Sequence, residues 1–464
     1  MLMNRIAHLS PAVLILLLVL LPASLSYSQW IEKPPCPKNV ILMIGDGMGF
    51  NCLRAADCFY GPSSFNGFPV SLAVATYPNG SGYDPSRAWI DTAYLNSGFT
   101  ESGAAATALA TAVRTDLQYI GISPGLDTLM NLTELAKSMG KSAGVITSVP
   151  FTHATPAGFV AHNISRSNYP GIAAYMLFRS RCDLIIGCGN PEYDDNGNRK
   201  GNRWSYCGYV GDSALWQGLM HESGKQIAFT VDGNTLTVQD INGDGRPDPW
   251  TVITRAEDFR KFMSGPTPRR LLGCPEVFST LQQGRTPADG ETHESPPFTT
   301  PFIQRMPTLA EMVNCGLNLL DDNPAGFFVM IEGGAIDWAN HENQKGRMLE
   351  EMKSFRDAVD SVIAWVDHRS SWDETLLIIT ADHESGNLWG GAIYSPVISN
   401  GTGRMPALHY HSGDHTNALV PLFAKGAGAS LLLEDADQTD PVRGKYILNT
   451  EIPGLIFRIW TKNK

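Results

Sequence analysis

Three apolar runs along this chain end in the same kind of residue. Val40-Ile41-Leu42-Met43-Ile44 runs into Gly45-Asp46-Gly47. Phe327-Phe328-Val329-Met330-Ile331 runs into Glu332, followed by Asp337 and His341. Leu376-Leu377-Ile378-Ile379 runs into Asp382-His383. Short unbroken apolar runs predict strands buried on both faces of a parallel sheet. Ligands of open α/β sheets bind outside the carboxyl ends of the strands. Carboxylates gathered at such a place are costly to bury unless cations neutralise them. The pattern therefore points to a catalytic centre holding several metal ions.

The remaining periodicity fills in the layers. Ser102 to Thr111 is Ala-rich and predicts a helix opening at Ser102. Leu129 to Met139 predicts an amphipathic helix, Ser142 to Val149 a strand, and Ala157 to His162 a helix. Thr308 to Leu320 predicts another helix. Met348, Met352, Phe355, Val359, Val362, Ile363 and Val366 recur at helical spacing, which predicts a core-facing helix over 347–366. Ala418 to Ala424 is the last clear strand. Strand and helix alternate throughout, so the expected fold is a three-layer α/β/α sandwich around a mostly parallel central sheet. Between about 182 and 302 Gly, Asn, Asp, Pro and Arg become frequent and the apolar runs shorten. This predicts an insertion with small hairpins over 227–231 and 235–238.

Composition adds a compartment and removes a partner class. Ala12 to Leu21 is almost unbroken apolar sequence behind Arg5, with small residues near 24–28. Residues 1–28 thus read as a signal peptide, with one domain over 29–464, exported to a periplasmic or extracellular space. Eight cysteines in an exported chain suggest disulfides, and the close pairs are Cys52 with Cys58 and Cys182 with Cys188. The formal net charge of −11 argues against nucleic acid as a partner.

Asp337 and His341 lie four apart after a strand, so one helical turn puts both on one face, as zinc ligands require. Carboxylate with imidazole suits zinc or cobalt more than magnesium. A third ligand would come from His409, His411 or His415, and spacing alone does not choose among them. Asp46 between glycines can bridge two cations where the backbone bends sharply. Ser102 is either a helix cap or a nucleophile whose hydroxyl a metal ion activates, with the helix N-terminus assisting the anion. Arg166 offers a guanidinium fork that matches two phosphoryl oxygens.

Taken in order, VILMIGDGMG, FTESGAAATALAT, HATPAGFVAHNISR, FFVMIEGGAIDWANH, LIITADHESG and DHTNALVPLFAKG resemble the alkaline phosphatase family. The resemblance implies hydrolysis of phosphate monoesters through a serine-phosphate intermediate, with inorganic phosphate as product and inhibitor. It implies two zinc ions and one magnesium. Asp337, His341 and His415 would hold the first zinc. Asp46, Asp382 and His383 would hold the second, beside Ser102. Asp46, Thr155 and Glu332 would hold magnesium, and Arg166 would clamp the phosphoryl group. Family members are often homodimers. The chain departs from the best-known bacterial pattern at His153, where that pattern has Asp, and at Trp338, where it has Lys. Glu101 replaces the Asp before the nucleophile, and Gly103 replaces Ala. These changes bear on metal preference, with zinc or cobalt as rivals for the third position, and on phosphate affinity.

One further signal lies in the insertion. Asp240, Asn242, Asp244 and Asp248 alternate around Gly245, as in a calcium loop, but the twelfth position is Thr251. Two rival functions differ in class. A phosphodiesterase or sulfatase of the same superfamily would act on other esters, and no Cys/Ser-x-Pro-x-Arg motif is present. A non-catalytic metal- or phosphate-binding protein would lack a ligand or the nucleophile.

Overall fold

A computed structural model describes residues 36–201, 208–211, 213–221, 228–231 and 234–462. The expected leader over 1–28 and Cys207 lie outside the described residues. Among the described residues no helix is long and apolar enough to cross a membrane.

The elements that matter here follow in chain order. They are β1 (Asn39–Gly45), α1 (Phe50–Tyr60), β2 (Val70–Ala75), α2 (Ser102–Thr111), β3 (Ser142–Pro150) and β4 (Leu184–Cys188). Then come β5 (Thr251–Ile253), β6 (Leu271–Gly273), α3 (Leu309–Leu320), β7 (Phe327–Gly333), α4 (Ala335–His341) and α5 (Lys345–Arg369). The chain closes with β8 (Thr375–Thr380), β9 (Val420–Gly426), β10 (Gln438–Asp440), β11 (Gly444–Leu448) and α6 (Glu451–Thr461). Eleven strands form one sheet in the order β10-β11-β2-β9-β8-β1-β7-β3-β4-β6-β5, with helices layered on its faces. This is the expected three-layer α/β/α sandwich.

The three apolar runs are the three adjacent central strands. β1 pairs in parallel with β8 on one side and β7 on the other. Every residue of all three is buried, which is why their sequences are continuously apolar rather than alternating. Register places Ile44 opposite both Thr380 and Glu332, so the residues that follow emerge at one level.

β9 is the exception that completes the site. It runs antiparallel to β8 and to β2. Its N-terminal end therefore lies beside the carboxyl end of β8. A ligand just before β9 reaches the same place as ligands just after β1, β7 and β8.

Residues 182–302 do not stand apart from the sheet. β4, β6 and β5 come from this stretch and extend the edge beyond β3 in parallel register. The helix expected over 157–162 sits earlier, at Ala154–Gly158. The expected disulfides do not form, and the seven described cysteines are free. Cys52 and Cys58 share α1. Six residues along a helix separate their Cα atoms by about 9 Å, beyond the reach of a bridge. Cys182 precedes β4 and Cys188 ends it. The four steps along that strand alone span about 13 Å. Close spacing in sequence misleads when an extended or helical element lies between the two thiols.

Candidate metal and phosphoryl-transfer site

Asp46 follows β1 directly, and both of its carboxylate oxygens are buried with no hydrogen-bond partner. Gly47, at φ 68°, turns the chain here; a Cβ on it would lie 2.9 Å from Asp337 Oδ1 and from Ser385 Oγ. Only glycine allows the backbone this close. Asp382 accepts from the Gly47 amide (3.2 Å) and the His383 amide (2.9 Å) through Oδ1, while its Oδ2 is buried and unpartnered. His383 Nε2 lies 3.2 Å from Asp382 Oδ2 and 3.5 Å from Asp46 Oδ1.

A second group forms on α4. Asp337 and His341 sit one turn apart, with His341 Nε2 3.3 Å from Asp337 Oδ2. His415 Nε2 lies 3.0 Å from His341 Nε2 and 3.6 Å from Asp337 Oδ1. Its Nδ1 is fixed 2.9 Å from the Thr100 carbonyl. The other two candidate histidines are exposed, and His411 Nε2 points instead to the Gly391 carbonyl at 2.6 Å. The antiparallel β9 thus selects His415, where spacing left three choices. The His383 and His415 rings stack with centroids 3.6 Å apart and join the two groups.

Ligand atoms of Asp337, His341 and His415 lie within 4.8 Å of one another, and so do those of Asp46, Asp337 and His383. A third cluster lies deeper. Glu332 accepts from the Thr147 hydroxyl, its other oxygen is unpartnered, and Thr155 Oγ1 is also buried without a partner. Unsatisfied buried oxygens are costly and need an explanation. Divalent cations at these places would satisfy Asp46, Asp382, Glu332 and Thr155 together, so the residues fit the metals the motifs imply.

Electrostatics agree with that fit. Burial, and then the neighbouring Asp382 and Asp337 charges, hold Asp46 well above the usual carboxylate range. Burial and Asp337 push Asp382 up to about 8. Burial pushes Glu332 up to about 7 against the Thr147 bond. Without cations these groups keep protons that a metal would displace. Asp337 goes the other way. Burial pushes it up, but the His341 bond and the surrounding imidazoles carry it well below the ordinary value. The same bond raises His341 to about 9.

Ser102 is the first residue of α2, and its Oγ lies 3.3 Å from His383 Nε2. The helix cap is not Ser102 but Glu101, whose carboxylate accepts from the Gly103 (2.8 Å) and Ala104 (2.7 Å) amides. Ser102 is thereby released from capping. The same carboxylate takes the Gly103 and Ala104 amides, and the Ser102 amide is not among its donors. Glu101 also accepts from Arg166 Nη1, and Arg166 Nη2 lies 3.3 Å from His153 Nε2. Burial lowers Arg166, but the Glu101 charge raises it further, and the guanidinium stays charged. Burial and Arg166 push His153 down to about 3, so its ring is neutral. Trp338 packs on that ring with centroids 5.6 Å apart.

Sequence reasoning missed two supports. Ser385 donates to Asp337 and its hydroxyl lies 3.3 Å from His383 Nδ1, so it ties the two groups together. Thr147 faces Glu332 because β3 and β7 pair them in register. The alternation of Asp382, His383 and Ser385 after β8 was the available signal for the first.

The site sits where the family profile matches. A profile for alkaline phosphatase covers residues 37–203 and 291–427. The chain belongs to the alkaline phosphatase family. It is 27% identical over 433 residues to alkaline phosphatase H of Pseudomonas aeruginosa, covering 87% of this chain and 83% of that one. It is 27% identical over 372 residues to alkaline phosphatase 4 of Bacillus subtilis, covering 76% of this chain. The chain spans 63% of the length of that relative. The fold is similar to the cold-active alkaline phosphatase of a psychrophilic Shewanella (TM-score 0.63, 22% identity, 91% and 100% covered). It is also similar to a solved mutant of TAB5 alkaline phosphatase (TM-score 0.61, 20% identity, 93% and 100% covered). Residues 204–290 of this alkaline phosphatase homologue fall outside the family profile.

The acidic loop in that stretch is held together by its own hydrogen bonds. Asp240 accepts from the Asn242, Gly243 and Gly245 amides, and Asp244 from the Arg246 amide. Asp248 accepts from the Ile241 amide (3.0 Å) and from Arg269 (3.2 Å). The loop's own N–H groups and one arginine thus bond to the same oxygens whose spacing suggested calcium.

Proposed function

We propose that this protein hydrolyses phosphate monoesters by transferring the phosphoryl group to Ser102. The observation that carries this is the position of Ser102 Oγ: freed from capping by Glu101, 3.3 Å from His383, at the edge of a nest of unpartnered buried carboxylates. Asp337, His341 and His415 are suited to one zinc, and Asp46, Asp382 and His383 to the other. Asp337 stands close enough to lean toward either. Asp46, Glu332 and Thr155 offer the all-oxygen set that magnesium prefers. When bound, these ions lower the pKa of the serine hydroxyl and neutralise phosphoryl oxygens.

Arg166, oriented by Glu101 and His153, binds the dianion. Ser102 Oγ loses its proton and attacks phosphorus in line. The Ser102 O–P bond forms as the ester O–P bond breaks, and the departing alkoxide takes up a proton. Water then cleaves the phosphoserine and releases inorganic phosphate. A fixed guanidinium suits a monoester dianion better than a diester monoanion. The leader over residues 1–28 supports export, which fits a phosphatase acting outside the cytoplasm. The test is turnover of nitrophenyl phosphate, its methyl diester and nitrophenyl sulfate, after chelation and after add-back of zinc and magnesium. Monoester turnover restored by the metals is expected. Diester or sulfate turnover above it overturns the reading.

A further inference from the structure

The cleft above Ser102 has a volume of about 620 Å³, far larger than a phosphoryl group needs. Its lining records which leaving groups it accepts. Phe99 lines it, half-buried, with its ring 5.9 Å from that of His415. Trp338 lines it too, half-buried, with its ring 5.6 Å from that of His153. Each ring is reached from Ser102 through a different chain of contacts. One runs through His383 and His415, the other through Glu101, Arg166 and His153.

The charge of the outer cleft is equally specific. Beyond Arg166, two arginines line it, and both are engaged. Arg285 pairs with Glu350 at 2.8 Å, with both side chains 2% exposed. Arg347 pairs with Glu291 at 2.8 Å, also buried. The exposed charges at the rim are Glu342 and Asp414, both acidic. The wall contributed by Gln283, close to Gln344 at 3.1 Å, is neutral. Among the described residues, a leaving group with a further phosphate would meet acidic rim groups and two buried arginines already paired with Glu350 and Glu291. A flat, uncharged one would meet the rings that line the cleft, where aromatic contact contributes beyond simple burial.

We propose that Phe99 and Trp338 form a leaving-group clamp that selects phosphate monoesters of planar, uncharged alcohols over those bearing a second anionic group. The inference rests on the phosphomonoesterase reading above. It assigns a role to the half-buried faces of two rings that the chemistry itself does not use.

The experiment uses the metal-loaded enzyme and its Phe99→Ala, Trp338→Ala and doubly substituted variants. Initial rates of 5′-phosphate release are measured on adenosine 5′-monophosphate and adenosine 3′,5′-bisphosphate, and of phosphate release on glycerol 2-phosphate. The readout is the ratio of kcat/KM values, which cancels any damage common to all substrates. The wild type should favour the monophosphate over the bisphosphate by at least tenfold. The double variant should lose at least fivefold in the ratio of monophosphate to glycerol phosphate, chiefly through KM. Glu342→Lys should narrow the discrimination against the bisphosphate. If glycerol phosphate is turned over but the ratios do not move, the clamp is wrong and the phosphomonoesterase reading stands. If no monoester is turned over, the reading beneath it fails first.

Discussion

Arg166 donates to the same Glu101 carboxylate that caps the Ser102 helix. The phosphate clamp and the nucleophile thus share one anchor. That carboxylate also accepts from the Gln118 amide at 2.8 Å, so four donors converge on it. Burial raises Glu101, but Arg166 and the three amides hold it below the ordinary value, as an anion.

Glu101→Gln should therefore weaken two things at once. The amide nitrogen would face Arg166 or a helix amide, donor against donor. Loss of a good helix cap costs about 1 kcal/mol, visible as a lower Tm. Inhibition by inorganic phosphate should weaken by roughly tenfold, about 1.4 kcal/mol. Unchanged phosphate inhibition beside a lowered Tm would separate the cap from the clamp.

Ser102→Ala removes the nucleophile and leaves the carboxylate nest intact. The kcat/KM for a monoester should fall by at least ~10³-fold, about 4 kcal/mol, while bound zinc is retained. Incubation with labelled substrate should leave no phosphate on the protein. Label that persists in the variant would place the acceptor elsewhere.

His415→Ala should release one zinc and cost roughly 100-fold in turnover, about 2.7 kcal/mol. His409→Ala and His411→Ala, both on exposed loop positions, should keep full zinc content. Elemental analysis of the three variants decides it, and greater zinc loss from the His411 variant would reverse the assignment.

His153 is neutral, buried, and carries an unpartnered Nδ1 near the oxygen set expected to hold magnesium. A carboxylate there should suit a hard cation better than an imidazole. His153→Asp should tighten magnesium by roughly tenfold, measured by titration at constant zinc. Trp338→Lys should strengthen phosphate inhibition by bringing a cation to the rim. Weaker magnesium binding in the Asp variant would remove His153 from the third site.

The chelated protein should show an unusual pH profile. Asp382 and Glu332 titrate at about 8 and about 7 when folded, far above the unfolded range near ~4. A raised folded pKa gives stability that is full below the unfolded value and lost as pH rises through the folded one. His341, raised to about 9, acts in the same sense. Tm in EDTA should fall from about pH 4.5, above the unfolded carboxylate range, to about pH 9. Metal binding needs the same groups deprotonated and strengthens over that range. The Tm gap between loaded and chelated protein should widen with pH. A constant gap would mean these carboxylates are not the metal-linked groups.

Much of the centre was legible because buried parallel strands write themselves as apolar runs, and their ends expose the ligands. Asp46, Glu332 and Asp382 could be read that way, and α2 began at Ser102 as its composition predicted. His415 could not, because nothing in a strand's sequence reveals that β9 runs against its neighbour. Nor was Glu101 legible as the helix cap. Glu is an uncommon cap, and only the bond to the Ala104 amide shows that Glu101 does this work. Spacing in the acidic loop does not record which backbone amides reach its oxygens. The cysteine pairs do not meet because a helix separates Cys52 from Cys58 and a strand separates Cys182 from Cys188.

The reversed direction of β9 also sets an order of assembly. His415 is held by the Thr100 carbonyl, 315 residues earlier, and completes a ligand set with Asp337 and His341. Closing so long a loop comes late, because its entropy is lost before its contacts form. A chain whose last strand has not docked against β8 therefore lacks the third member of the Asp337 and His341 set, while Asp46, Asp382 and His383 follow β1 and β8 and do not depend on it.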